Sequence, residues 1–468
     1  PGFTQPLLYE KIKSHPSVKK IYSAKLKSEK IITDSELEKY QNEYEALLSK
    51  AFENIKRKSA AFSTDLPLAV SRKEATRTSK VEDTFITKET LKQIVTTITT
   101  IPQSFKGHPK LQKFLEKRRK LLDDSEQADW ALAESIAFGS LLIEGTPVRL
   151  SGQDSVRGTF SQRHLALTDI TNGNEYYPLN HLTNEQAQLE ALDSSLSEAA
   201  VLGFEYGYST ADPLALVIWE AQFGDFANGA QIIIDNFIVA SYEKWKVPNG
   251  VVLLLPHGFE GQGPEHSSAR LERFLILCAE DNMYVTNVTT PAQYFHLLRR
   301  HMKHGIHKPL VLMAPKSLLR SPEAKSPKDE FLSGSFKEIL DDTTIKNKSK
   351  IKKLIFTSGK VYYDLKKFRD KNSIENTAII RIEQFYPFKS DALKNIISSY
   401  NKFDEAVWVQ EEPKNMGAWN FLSLRLIDIL YGKKLSYSGR PESASPAVGS
   451  ARISDQQQIE LVSNAFKI

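Results

Sequence analysis

The sequence predicts an α/β protein: a largely parallel sheet domain, a smaller α/β domain after it and a helical region before it. Three observations carry that prediction. Short, largely apolar β-type runs recur at V-R-L from Val148, L-A-L-V-I-W from Leu214, V-V-L-L-L-P from Val251, Y-V-T-N-V from Tyr284 and P-L-V-L-M-A-P from Pro309. Such runs suit strands buried on both faces of a parallel sheet. Segments of helical length separate them, and the alternation resumes after a charged stretch with K-L-I-F-T-S-G-K, N-T-A-I-I-R-I and E-A-V-W-V-Q-E-E.

Taken in order, residues 1–125 are rich in Lys and Glu, with helical periodicity in L-E-K-Y-Q-N-E-Y-E-A-L-L-S-K-A-F from Leu37. The polar stretch from Ser63 to Asp83 reads as a surface excursion between helices. Residues 126–325 hold the first strand series, and Ser321 to Lys353 read as a charged linker. Residues 326–468 form the second, smaller domain. No internal repeat of fixed period is present.

With 468 residues, 41% hydrophobic and 25% charged, the chain has material for substantial cores. The longest apolar run, Gly250 to Pro256, is too short to span a membrane. The net charge of +5 is small, and the lysine run from Ile345 to Lys353 lacks the interleaved aromatics of a nucleic-acid surface, so it reads as a solvated loop. The lone Cys278 excludes an internal disulfide framework and fits a reducing compartment, with a bacterial cytoplasm preferred over a mitochondrial matrix. Its apolar neighbours in L-I-L-C-A-E mark it as core filler. Pro1, where Met would begin a chain, suggests a segment of something longer.

Polar chemistry concentrates between Trp219 and Arg273. W-E-A-Q-F-G-D-F-A-N-G-A-Q and P-H-G-F-E-G-Q-G-P-E-H-S-S-A-R place aromatics, amides, carboxylates and two histidines in turn-rich sequence beside an apolar strand, where a buried polar site is expected. By residue type alone, Glu198 beside Ser197 reads as an acid at a helix start. Phe223 and Phe226 read equally as core or as walls for a flat ring.

These blocks, with R-L-S-G-Q-D-S-V-R-G-T-F-S-Q-R-H from Arg149, F-E-Y-G-Y-S from Phe204, S-G-K-V-Y-Y-D-L from Ser358, G-R-P-E-S-A-S-P-A-V-G from Gly439 and F-T-Q-P-L-L-Y-E-K-I near the start, resemble the thiamine-diphosphate-dependent decarboxylating component of 2-oxoglutarate dehydrogenase. The resemblance runs through essentially the whole chain. It implies the transketolase superfamily, with residues 126–325 as a pyrimidine-binding domain and 326–468 as the C-terminal domain, following a diphosphate-binding domain that is missing here. That missing domain is expected to carry a Gly-Asp-Gly turn and an Asn that hold magnesium against the diphosphate. The sequence has no such pair, and no residue here is assigned to a metal.

The resemblance further implies that Glu198, in L-S-E-A-A-V-L-G-F-E-Y-G, activates the cofactor through its aminopyrimidine ring. Desolvation among Leu196, Ala199 and Val201 is expected to assist it. Phe223 and Phe226 are expected to hold the ring. His257 and His266 are expected to face the thiazolium and the reacting substrate as hydrogen-bond donors. Gln153 and His164 are carried as candidates lining the site, and Glu205 as structural. The implied partners are a second protomer in a homodimer, the lipoyl-bearing succinyltransferase component and a small 2-oxo acid. A reading from another class is a non-catalytic dimerisation or docking subunit. His296, His301, His304 and His307 invite a metal reading, but Arg299, Arg300, Lys303 and Lys308 among them suit a basic helix end better. Gly439 to Gly449 is expected to be a structural loop.

Overall fold

The computed structural model describes residues 5–58, 83–305, 307–430 and 432–467. The chain divides into two compact units, Pro1–Leu66 and Pro67–Ile468. In the first, helices run over Pro6–Ser14, Val18–Ser28 and Asp34–Lys58. The third starts with a reciprocal cap: Thr33 N donates to Glu36 Oε2 at 2.9 Å, and Glu36 N donates to Thr33 Oγ1 at 3.3 Å. The expected surface excursion, residues 63–83, falls outside the described residues except for Asp83.

The second unit contains two principal sheets among the described residues. The larger is built from β1 (Val148–Gly152), β4 (Leu189–Asp193), β5 (Leu216–Glu220), β6 (Val252–Pro256), β7 (Tyr284–Asn287), β8 (Leu310–Ala314) and β12 (Gln384–Tyr386), in the order β12-β7-β8-β6-β5-β1-β4. All neighbours are parallel except β12 against β7. The five expected apolar runs are all strands here. Leu216, Val217 and Ile218 have no exposure, as a strand covered on both faces requires. A short ribbon pairs β2 (Leu167–Thr168) with β3 (Glu175–Tyr176). The smaller sheet has the order β14-β13-β10-β11-β9, from β9 (Ile339–Leu340), β10 (Lys353–Thr357), β11 (Thr377–Ile382), β13 (Glu405–Pro413) and β14 (Lys434–Arg440).

Three features of the packing were not expected. The helices Lys88–Ile98 and Pro109–Arg119 belong to the second unit, because Leu91, Ile94 and Val95 enter the core around Phe138 and Leu142. The stretch 321–353 is anchored by Phe331 and Ile351, both without exposure, so it is not a solvated linker. Lys353 is itself buried and meets Glu405 at 2.7 Å. β12, from the C-terminal half, completes the first sheet, and Leu253, Leu255 and Met313 share one core with Phe356, Ile380 and Trp408.

The run does end a basic helix, with Arg300, His301 and Lys303 in the last turn of Pro291–Lys303, but two of its histidines are buried. His296 and His301 lie buried on the helix Pro291–Lys303; His296 bonds Thr84 Oγ1 and the Glu330 carbonyl, and His301 the Gly250 carbonyl at 2.8 Å. Burial pushes both pKa values down from 6.5 to about 4. The unfolded chain therefore takes up these protons before the folded chain does. Stability present above pH 6.5 falls as pH drops toward 4, by roughly 3 kcal/mol per ring at most. Denaturation midpoints at pH 7 and pH 5 are expected to differ less in His301→Gln than in the parent; equal differences would contradict this.

Candidate functional site

The larger sheet reverses its direction of growth at β1. The chain leaves β1 for β4 on one side and returns to β5 on the other, which opens a crevice at the carboxyl ends of β1 and β5. Such switch points are where open parallel sheets bind ligands. Gly152 and Glu220 are paired there. A Cβ on Gly152 would lie 2.1 Å from the Glu220 carbonyl oxygen, so only glycine lets the strands end this close.

Five of the expected residues converge on this crevice. Gln153, directly after β1, donates from Nε2 to Glu198 Oε1 at 3.3 Å. Glu198 opens the helix Glu198–Ala211, capped by Ser197, and is half-buried. Leu196 is 83% exposed, so the apolar cover expected from it is not supplied. Gly229 instead lies against the carboxylate: a Cβ there would be 3.3 Å from Glu198 Oε2. Phe223 and Phe226, on the turn after β5, stand nearly perpendicular at 6.1 Å, and the His266 ring meets them edge-on at 4.4 and 5.9 Å.

The turn and the histidine loop are locked together. Gly224 brings its backbone so near Ala269 and the Pro256 carbonyl that a Cβ would sit 2.5 Å from Ala269 Cβ. Buried Asp225 accepts the Ser267 and Ser268 N–H groups at 3.0 Å each. His266 has no hydrogen-bond partner for its ring nitrogens among the described residues, leaving them for a ligand.

Two expected residues are placed differently. His257, 8% exposed, uses both ring nitrogens within the protein: Nδ1 accepts from Ala269 N and Nε2 faces Glu412 Oε1, each at 3.0 Å. Burial works against a charged ring, but Glu412 prevails and moves the pKa upward. His164 contacts the Phe114 ring at 5.4 Å and the Ser161 carbonyl at 3.0 Å. Burial and nearby Arg118 lower its pKa. Glu205 is structural as expected, buried in a bidentate pair with Arg149.

Other contributors were not singled out from the sequence. Phe160 meets Phe223 edge-on at 5.6 Å. Lys316, just beyond β8 and 5% exposed, donates to Gln262 Oε1 at 2.9 Å and to the His266 carbonyl, with its ammonium 5.8 Å from the Phe223 ring. Burial lowers its pKa. Its position after a parallel strand was the available signal. Behind the crevice, Arg163 is held between Glu134 and Glu220, with Tyr294 donating to Glu134. Burial opposes the Arg163 charge, but the two carboxylates hold its pKa well above the ordinary value.

Cys278 is partly buried and donates to the Phe274 carbonyl at 3.2 Å; burial raises its thiol pKa to about 12, so it is unreactive filler. No cluster of three or more His, Cys, Asp or Glu among the described residues is arranged to hold a metal. No described helix is long and apolar enough to cross a membrane.

Residues 126–322 match the family described as "Transketolase, pyrimidine binding domain", and 325–466 match "2-oxoglutarate dehydrogenase C-terminal". Fold, crevice and matches define a transketolase-type pyrimidine-binding domain joined to its C-terminal companion. Proteins named "2-oxoglutarate dehydrogenase E1 component" from Brucella ovis, Brucella canis and Brucella abortus (strain S19) are each 48% identical over 96% of this chain and 46% of their own length. The chain belongs to the 2-oxoglutarate dehydrogenase E1 component family. It spans about half the length of the curated relatives it matches.

Proposed function

We propose that this chain supplies the pyrimidine-binding half of a thiamine-diphosphate site that decarboxylates 2-oxoglutarate and passes the succinyl group to the lipoyl arm of a succinyltransferase component. The observation that carries this reading is the convergence of Glu198, Phe223, Phe226 and His266 at the switch-point crevice. A homodimer, in which the partner's diphosphate domain and magnesium close the site, completes the proposal.

The residues fit the cofactor. Glu198 has Oε1 held by Gln153 and Oε2 against Gly229, where any side chain would crowd the carboxylate. Phe223 and Phe226 offer an apolar wall beside it. Thiamine diphosphate supplies the carbon nucleophile to which a 2-oxo acid adds and loses carbon dioxide. Glu198 would hold a proton at its carboxyl against the aminopyrimidine ring and exchange it with a ring nitrogen. His266, braced edge-on by Phe223, directs a ring N–H toward the reacting group, and Lys316 adds positive charge behind it. The His266 N–H and the Lys316 charge would together favour negative charge on the reacting fragment.

Phe223→Ala is expected to weaken thiamine diphosphate binding about threefold to tenfold, matching the loss of one aromatic contact. Cofactor titration by fluorescence in the protein carrying its diphosphate-binding half checks this, and unchanged affinity would remove Phe223 from the wall. The docking-subunit reading is favoured by no specific contact.

A further inference from the structure

The segment after His266 is tied down at three consecutive amides. Ser267 and Ser268 donate to Asp225, and Ala269 donates to His257 Nδ1 at 3.0 Å. A second tie runs from Gly258 N to the Ser267 carbonyl at 2.9 Å. An amide N–H needs a lone pair, so Nδ1 must stay unprotonated and a neutral His257 carries its hydrogen on Nε2. Nε2 lies 3.0 Å from Glu412 Oε1, with side-chain exposures of only 6% and 7%. Glu412 comes from β13 of the C-terminal domain. A carboxylate accepts and never donates when ionised, so it selects the tautomer that the Ala269 amide requires.

We propose that Glu412 is a positioning residue for His266: it fixes the His257 tautomer, and the Ala269 amide held by His257 keeps the His266 ring against Phe223. The C-terminal domain thereby sets the geometry of a site built on the other sheet. Its catalytic consequence rests on the function proposed above, whereas the tautomer and the amide tie do not.

Histidine-selective nitrogen NMR and hydrogen exchange on the full chain test the tie, comparing the parent with Glu412→Gln, which still accepts from Nε2, and with Glu412→Leu, which does not. The expected result is the Nε2–H tautomer at His257 in the parent and in Glu412→Gln. Exchange over residues 266–270 should rise about tenfold or more in Glu412→Leu, with β11 amides unchanged as a control for global unfolding. Glu412→Asp, which draws the carboxylate back, serves if the leucine variant fails to fold and should give a smaller rise. With the diphosphate-binding half present, kcat should fall about tenfold in Glu412→Leu, be restored in Glu412→Gln, and the cofactor KM should stay within about twofold. An unchanged tautomer and unchanged exchange in Glu412→Leu and Glu412→Asp would overturn the proposal, as would loosened amides with full turnover. Failure of the parent to turn over 2-oxoglutarate would instead overturn the proposed function, leaving the amide result to judge the tie.

Discussion

Glu198→Ala in the protein complete with its diphosphate-binding half is expected to lower 2-oxoglutarate turnover by about 10²–10⁴-fold, the range for loss of a positioned proton-transfer group. The reason is local. Glu198 is the carboxylate held by Gln153 at the end of β1, and the bare Gly229 lies against its other oxygen without crowding it. Glu198→Gln keeps the volume but gives up the exchangeable acid, so it should be nearly as impaired. Thermal stability should hardly move in either variant, because the side chain is half-buried and makes one weak hydrogen bond. Steady-state kinetics together with a melting curve separate a chemical loss from a folding loss.

The second large effect concerns stability. Arg163 is 2% exposed and links Glu134, on the helix Trp130–Ile143, to Glu220 at the end of β5, while its Nη1 also donates to the Ser155 carbonyl at 2.8 Å. Arg163→Met is expected to destabilise the protein by roughly 3–5 kcal/mol, because two carboxylates stay buried without their cation. Replacing the whole group by E134L/R163M/E220L/Y294F should recover much of that loss, since a well-packed apolar set of similar volume avoids the desolvation of four polar groups. Denaturant midpoints of the two variants decide it. A near-parent midpoint for Arg163→Met alone would mean that water reaches the carboxylates.

Strands covered on both faces were legible because their pattern is local: β1, β5, β6, β7, β8, β10, β11 and β13 each contain a short β-type stretch that can be read without knowing the partners. What escaped was long-range. Gln384–Tyr386 crosses to the first sheet, and nothing within so short a strand announces which edge it will join. Likewise Leu91, Ile94 and Val95 look like one face of any amphipathic helix, and only their contacts assign them to the core of the parallel-sheet domain.

The site divides in the same way. Glu198, Phe223, Phe226, His266 and Gln153 were singled out because they stand in distinctive blocks, and the structure sets Gln153 on Glu198 and the His266 ring on the two phenylalanines. Lys316 and Glu412 were missed because each reaches the histidine loop from a different strand end, far away in sequence. His257 shows the limit of reading a loop histidine by its neighbours. Its partner lies in the other domain, and that contact turns it from a free donor into a brace.

The most direct test is 2-oxoglutarate-dependent reduction of an artificial electron acceptor with thiamine diphosphate and magnesium. It compares this chain alone, this chain with a diphosphate-binding half bearing Gly-Asp-Gly and Asn, and the same mixture carrying Glu198→Ala. The account predicts turnover in the mixture, none from the chain alone, and loss of nearly all turnover with the Glu198 variant. Turnover unchanged by Glu198→Ala, or full turnover from the chain alone, would contradict it.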